Sequence, residues 1–327
     1  MAEILTGPEA IAAAVQRLSQ GLLVAFPTET VYGLGANALD TQAVERVFQL
    51  KGRPSTNPLI VHVADVEMAK TVVADWPISA DKIANAHWPG PVTIILPKAD
   101  CVPEIVCAQG NTVAVRCPGH PMALALIEAF GQPIVGPSAN PSGRISPTIP
   151  AHVADGFPDS DLLIVDGGHC RAGIESTVVD LTSDTVRVLR PGIVGAHAIS
   201  QTIELPVECT TTKSTQPGTV ARSPGLIGAH YQPNTPTKLV ESSELPSATD
   251  STTLIAWSIS SHPKAGNLFE IPDQIDQYAS AIYRLLHDAD RTNPAQIWVE
   301  QPPQALSEDD RAIRSAIIER LQRATHA

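Results

Sequence analysis

Apolar residues fall along this chain in two rhythms, and the switching between them predicts helices and strands in alternation. Thr6-Gly7-Pro8-Glu9 reads as a capping box with an early proline, and Ile11, Ala12, Val15 and Leu18 follow at helical spacing. Gly21 ends that helix, and residues 22–26 (LLVAF) read as a buried strand. Asp40 caps a second predicted helix that carries Val44, Val47 and Phe48. Further strands are predicted at residues 59–63 (LIVHV), 92–96 (VTIIL), 112–116 (TVAVR), 133–136 (PIVG) and 162–166 (LLIVD). STVVDL and VRVLR flank a polar turn at 182–185, the pattern of an antiparallel hairpin. The alternation is not strict, so the expected fold is α/β with an open, twisted, mixed sheet.

The texture changes after residue 206. Residues 207–222 are polar, Thr-rich and without period, which marks a linker. A second α/β unit follows, with strands at 254–259 (LIAWSI) and 296–300 (QIWVE), a helix near 272–288, and a last helix from about Ser307 to Ala324. The expected division is a first domain over 1–206, a linker over 207–235, and a smaller α/β/α domain over 236–327.

Composition narrows the classes. With 43% hydrophobic and 17% charged residues the chain suits a globular protein, and no apolar run is long enough to cross a bilayer. The start, MAEILTGPEA, lacks the basic stretch and apolar core of a signal peptide, so a cytoplasmic protein is expected. The 5 cysteines form no CxxC pair, which argues against a zinc ribbon or a disulfide framework. A net charge of −12 disfavours stable binding to nucleic acid. Yet Lys51, Arg53, Arg116, Arg144 and Arg190 stand in or beside Gly/Pro/Ser-rich turns, as a small anionic ligand would need.

Common nucleotide and hydrolase signatures are missing. No Gly-Lys dipeptide occurs, so there is no Walker A loop, and HExxH and GxSxG are absent. Gly33-Leu34-Gly35-Ala36-Asn37-Ala38 fits a loose GxGxxA, without the acidic residue about twenty positions on that a dinucleotide site requires. More specific are PTETVYGLG (27–35), with hydroxyls and a carboxylate between a strand and a glycine turn, and KGRPSTNPL (51–59), with two cations and an amide suited to polyphosphate. Arg116, at a strand's end, suits either a bound carboxylate or a surface ion pair. The loop at 137–148 offers four Ser/Thr hydroxyls, Asn140 and Arg144 to phosphate or ribose oxygens, or is simply a hydrogen-bonded Pro/Ser turn. His62 points away from Val61 and Val63 within its strand.

FPTETVYGLG, KGRPSTNPLIVHV, WPGPVTIIL, TVAVRCPGHP, PSANPSG, DGGHCRAGIESTVVD and LRPG occur here in order. Together with SPG and HY at 223–231 and the trailing α/β unit, they make the chain resemble the threonylcarbamoyl-AMP synthase family, in its long form with a YrdC-like domain and a C-terminal Rossmann-like domain. The resemblance implies condensation of L-threonine, bicarbonate and ATP into threonylcarbamoyl-AMP and pyrophosphate, with Mg²⁺ accompanying the nucleotide. A separate transferase would then carry the group to a tRNA adenosine. By resemblance Thr30, His62, Arg116, Gly136 and Ser176 surround threonine, while Arg53, Asn57, Thr112, Ser138, Ser146, Arg190 and Tyr231 hold ATP. Lys51 and Arg53 would serve the chemistry at the phosphates, and no protein-bound metal is expected. Between SPG and HY the family usually carries Lys or Arg, whereas residues 226–229 here have no charge. Residues 223–233 are expected to cover the nucleotide site. Two other classes are weighed: a YrdC-like enzyme making a carbamoyl adenylate, whose additional zinc-finger-like and acylphosphatase segments are missing here, and a non-catalytic RNA-binding module, which the net charge disfavours.

Overall fold

The computed structural model describes residues 2–209, 230–258 and 265–325. Its larger sheet is built from β1 (Glu3–Thr6), β2 (Val24–Phe26), β3 (Gly33–Asn37), β4 (Ile60–His62), β5 (Val92–Pro97), β6 (Thr112–Arg116), β7 (Ile134–Val135), β8 (Leu163–Asp166), β9 (Thr177–Asp180), β10 (Val186–Arg190) and β11 (Val207–Cys209). Their order across the sheet is β1-β8-β2-β3-β7-β4-β6-β5-β9-β10-β11. Parallel pairs such as β4 with β6 and β5 with β9 mix with antiparallel pairs such as β5 with β6 and β9 with β10, as the irregular alternation predicts.

Helices α1 (Gly7–Ser19), α2 (Thr41–Lys51), α3 (Val66–Val72), α4 (Ile78–His87), α5 (Pro121–Phe130), α6 (Pro150–Gly156) and α7 (Ala196–Ile203) connect these strands. Asp40 caps α2 by accepting from the amides of Gln42 and Ala43 at 2.9 and 3.2 Å, and Gly52 closes it at φ 60°. The capping box expected at Thr6 does not form: Thr6 is the N-cap residue of α1 but its side chain makes no cap hydrogen bond. Val61, Val63 and Val115 enter the main core, whereas Ile60, Ile95, Ala114 and Val178 form a separate apolar patch on the opposite side of their strands.

Two sequence expectations need correction. The glycines at 33 and 35 belong to a strand, β3, and not to a turn: a Cβ on either would lie 2.8–3.1 Å from the Phe26 ring, so their absence of a side chain makes room for that ring. The first residues of the expected linker, Val207–Cys209, add an edge strand parallel to β10.

The C-terminal unit is a four-stranded parallel sheet, β12 (Thr237–Val240), β13 (Thr252–Ala256), β14 (Asn267–Glu270) and β15 (Gln296–Glu300), in the order β12-β15-β13-β14. α8 (Ile275–Arg291) and α9 (Glu308–Ala324) pack together against it, and a short 3₁₀ segment, Ser242–Ser247, contributes Leu245 to an apolar cluster with Val240 and Leu254. Ser307 and Asp310 form a reciprocal capping box at the start of α9. This unit does not build its core alone. Val31, Ile145 and Ile174 from the first domain share one buried cluster with Tyr231, Tyr283, Leu286 and Ile317.

Candidate active site

Strand ends assemble the site. β4 and β6 run parallel with His62 directly beside Arg116, and β4 pairs with β7, whose chain continues into Gly136. Thr30 enters from the segment between β2 and β3. Ligands in open α/β sheets commonly bind beyond strand ends where the connection direction changes. Gly136 is required by closeness: a Cβ there would stand 2.7 Å from His62 Nδ1. The Phe26 ring meets His62 edge-on at 5.6 Å.

Arg116 forms a buried ion pair, not a surface one. Its Nη2 lies 2.8 Å from Glu29 Oε2, and its Nε donates to the Gly90 carbonyl at 3.1 Å. Glu29 Oε2 also accepts the Gly119 amide at 2.9 Å. Three buried atoms here nonetheless lack a hydrogen-bond partner: Glu29 Oε1, His62 Nδ1 and Arg116 Nη2, the last touching Glu29 without donating to it. Burial, reinforced by the Arg116 charge, pushes His62 down to about 3, so its imidazole is neutral at pH 7.

A cationic wall stands beside this corner. Arg53 donates to the carbonyls of Asn57 and Pro58 at 3.4 and 3.1 Å, and burial lowers it to about 10, which leaves it charged. Arg190 is buried and donates through Nε and Nη2 to the carbonyl and hydroxyl of Ser176, each at 3.0 Å. Ser176 Oγ also shares a 2.7 Å hydrogen bond with Thr93. Lys51 approaches from behind. Its Nζ donates to the carbonyls of Ser138 and Asn140, each at 2.5 Å, and therefore braces the loop at 137–148. Burial first, and Arg53 second, hold its ammonium well below the usual lysine range.

Thr30, Arg53, His62, Arg116, Gly136, Ser138, Arg190 and Tyr231 line one cleft together with Glu175, and its volume is about 70 Å³. That admits only a few waters. A neighbouring cavity of about 480 Å³ shares Pro58 with the cleft and is lined by Thr112, Ile95, Ala114 and Asp180. Asn57 is buried directly before Pro58. Ser146 donates to Glu175 Oε1 at 2.7 Å. Tyr231 is buried with φ 66° and stacks on Tyr283 of α8 at 5.5 Å. The backbone amide of the next residue, Gln232, donates to the Gly143 carbonyl at 2.9 Å, pinning this end of the segment to the loop. The rest of the expected cover, residues 223–229, lies outside the described residues.

Comparison with known proteins gives the family. The family described as Telomere recombination (Sua5, YciO and YrdC) matches residues 16–192, and the family described as Threonylcarbamoyl-AMP synthase, C-terminal domain, matches residues 194–326. The threonylcarbamoyl-AMP synthase of Pyrococcus abyssi is 38% identical over 94% of this chain and 92% of its own length. This chain belongs to the threonylcarbamoyl-AMP synthase family. The Bacillus subtilis synthase is 44% identical over 74% of this chain and 69% of its own. The crystal structure of Pyrococcus abyssi Sua5 complexed with L-threonine superposes with a TM-score of 0.86, at 34% identity, covering 99% of this chain and 97% of that one. The two-domain synthase architecture is thus that of this chain.

Sequence reasoning points to the Glu29 carboxylate inside PTETVYGLG but not to its pairing with Arg116, which depends on a long-range approach of two segments, and it misses a second carboxylate. Glu175 precedes Ser176 in GIESTVVD, and its partners Tyr283 and Arg320 come from the other domain.

Proposed function

We propose that this chain is an L-threonylcarbamoyladenylate synthase that works at the cleft between β4, β6 and β7. The supporting observation is the meeting at one corner of Glu29 Oε1 and His62 Nδ1, buried atoms without a hydrogen-bond partner, with the buried guanidinium of Arg116, whose Nη2 touches Glu29 Oε2 without donating to it. Leaving such atoms unpaired costs about 1–3 kcal/mol each, so they await a small polar ligand with a charged group. An amino acid supplies a carboxylate for Arg116, and Thr30 and Gly136 line the same cleft, whereas Ser176 is fully buried and hydrogen-bonded to Arg190 and Thr93. L-threonine is that ligand.

The triphosphate of ATP lies along Arg53, Arg190 and the loop carrying Ser138, with its adenosine toward Thr112 in the larger cavity and Asn57 between them. Lys51 acts by holding the loop's carbonyls. Ser146 has committed its proton to Glu175, so it meets the nucleotide as an acceptor. Among the described residues no group of three or more His, Cys, Asp or Glu is arranged to hold a metal. We assign Mg²⁺ to the nucleotide, as the counter-ion of its phosphates.

Threonine's amine forms a bond to the bicarbonate carbon as water leaves, giving a carbamate, one of whose oxygens forms a bond to the α-phosphorus as the bond to pyrophosphate breaks. Both reactants are anions. Positioning and cationic screening therefore supply the rate enhancement, with no covalent enzyme intermediate. Tyr231 closes the cleft against water. The product is a mixed anhydride that a separate transferase passes to a tRNA adenosine. No described helix is long and apolar enough to cross a membrane. We assign the reaction to the cytoplasm, where tRNA is, and expect no stable tRNA binding by a chain of net charge −12.

The test is pyrophosphate release with labelled bicarbonate and single amino acids. Release should need ATP, bicarbonate and threonine together. Equal release with alanine or glycine would remove threonine as the substrate.

A further inference from the structure

The C-terminal domain sends two side chains to a carboxylate of the first. Arg320, on α9, is only 2% exposed; its Nε donates to Glu175 Oε2 at 2.7 Å and its Nη2 to the Glu175 carbonyl at 3.3 Å. Tyr283, on α8, donates its hydroxyl to the same Oε2 at 3.1 Å. The other oxygen, Oε1, takes the Ser146 hydroxyl at 2.7 Å. Glu175 is itself buried, and it lines the cleft that holds Arg53 and Arg190.

A buried carboxylate in that position opposes the proposed function. Left without a counter-charge it would repel nucleotide phosphate and compete for the arginines meant to receive it, because charges act strongly at short range in a dry site. Burial alone would also raise its pKa. The Arg320 charge, with Arg190 and the Ser146 hydroxyl behind it, instead holds the carboxyl below its ordinary value, so it stays ionised. The counter-charge thus comes from the domain that carries none of the proposed substrate contacts except through Tyr231's stacking partner.

We propose that Arg320 and Tyr283 are positioning residues for the nucleotide: they draw the Glu175 carboxylate toward the C-terminal domain and balance its charge, which leaves the positive potential of Arg53 and Arg190 to polyphosphate. The C-terminal domain is then an electrostatic part of the active site. This inference rests on the assignment of the cleft to ATP. It makes Glu175 the source of the trouble that Arg320 cures, and that relation separates it from a packing role.

Steady-state kinetics of the full chain test it, with ATP and threonine varied separately. Arg320→Met should raise KM for ATP about ten-fold, equivalent to about 1.4 kcal/mol, while KM for threonine changes far less. Adding Glu175→Gln to Arg320→Met should restore most of the ATP affinity, since both charges are then gone, and Arg320→Lys should fall between. An unchanged KM for ATP in Arg320→Met, or a double variant as impaired as the single one, would overturn the proposal. If Arg320→Met does not fold, the double variant decides: a KM for ATP near the parent's supports the proposal, and a raised one overturns it. A parent chain that releases no pyrophosphate from ATP with threonine and bicarbonate would overturn the functional reading and this inference with it. A parent that turns over normally isolates any failure to Arg320.

Discussion

Arg116 Nη2 rests 2.8 Å from Glu29 Oε2, with the two side chains only 4% and 10% exposed, yet the contact leaves Glu29 Oε1 and Arg116 Nη2 without hydrogen-bond partners. Under the proposed function this pair would receive the zwitterion, with Glu29 Oε1 and Arg116 Nη2 the atoms left for the ligand to satisfy. Arg116→Ala should lower threonine affinity roughly ten- to a hundred-fold, the loss of about 1.5–3 kcal/mol expected for a charge-assisted hydrogen bond. ATP affinity should change less. Isothermal titration with each substrate checks this, and unchanged threonine affinity would remove Arg116 from the site.

Gly136 makes a steric prediction at the same corner. A Cβ there would meet His62 Nδ1 at 2.7 Å and Phe26 Cζ at 2.8 Å, two side chains with no room to retreat. Gly136→Ala should cost about 1–3 kcal/mol of stability through overpacking, and should weaken threonine binding by turning the His62 ring. Denaturant unfolding and threonine titration of the same preparation would check both halves.

Arg53 and Lys51 are expected to fail differently. Arg53→Ala removes a cation from the cleft wall, so ATP binding should weaken with threonine binding nearly intact. Lys51→Met releases the carbonyls of Ser138 and Asn140, each held at 2.5 Å. Its loss should appear in kcat and in proteolytic nicking of the loop at 137–148 as well as in KM for ATP. A Lys51 variant that changed only KM for ATP would place its ammonium on the phosphates instead.

His62 sets a pH dependence. Burial, and then the Arg116 charge, hold it near about 3 in the folded chain, against an ordinary 6.5. Between those values the unfolded chain binds a proton that the folded chain refuses. Its contribution to stability is therefore complete above about pH 6.5 and is lost as pH falls toward 3, at about 1.4 kcal/mol per pH unit. His152, also buried and held at about 2, adds in the same direction. Urea unfolding from pH 7 to 4.5 should show this slope, reduced by about one histidine's share in His152→Leu. Threonine affinity should show no titration of His62 between pH 5 and 8.

How far the sequence could be read followed from the range of the interactions involved. Strands β5, β6 and β15 coincide with their apolar runs, and the Asp40 cap appears where its helix begins, since those signals are local. The residues gathered in the cleft came from motifs recognised as a set. Pairings across the fold left no local trace. Glu29 with Arg116 and Glu175 with Arg320 each join remote segments, and the hydrogen bonds of Lys51 Nζ to the Ser138 and Asn140 carbonyls are likewise invisible in the sequence around it. Tyr231, within the expected linker, is an ATP contact by resemblance. Its burial against Tyr283 and Ile145 makes it also a packing residue, so Tyr231→Ala should lower stability as well as activity.

That shared apolar cluster has a consequence for how the molecule comes apart. Val31, Ile145 and Ile174 lie in one continuous interior with residues of α8 and α9, and Gly173, at φ 71°, lets the backbone of α8 approach so closely that a Cβ there would stand 2.4 Å from the Ala279 carbonyl. Neither half presents a finished surface to the other. Separation of the halves would wet the Glu175–Arg320 pair and the shared cluster in one event, so the two domains should melt together, in one calorimetric transition, despite their separate sheets.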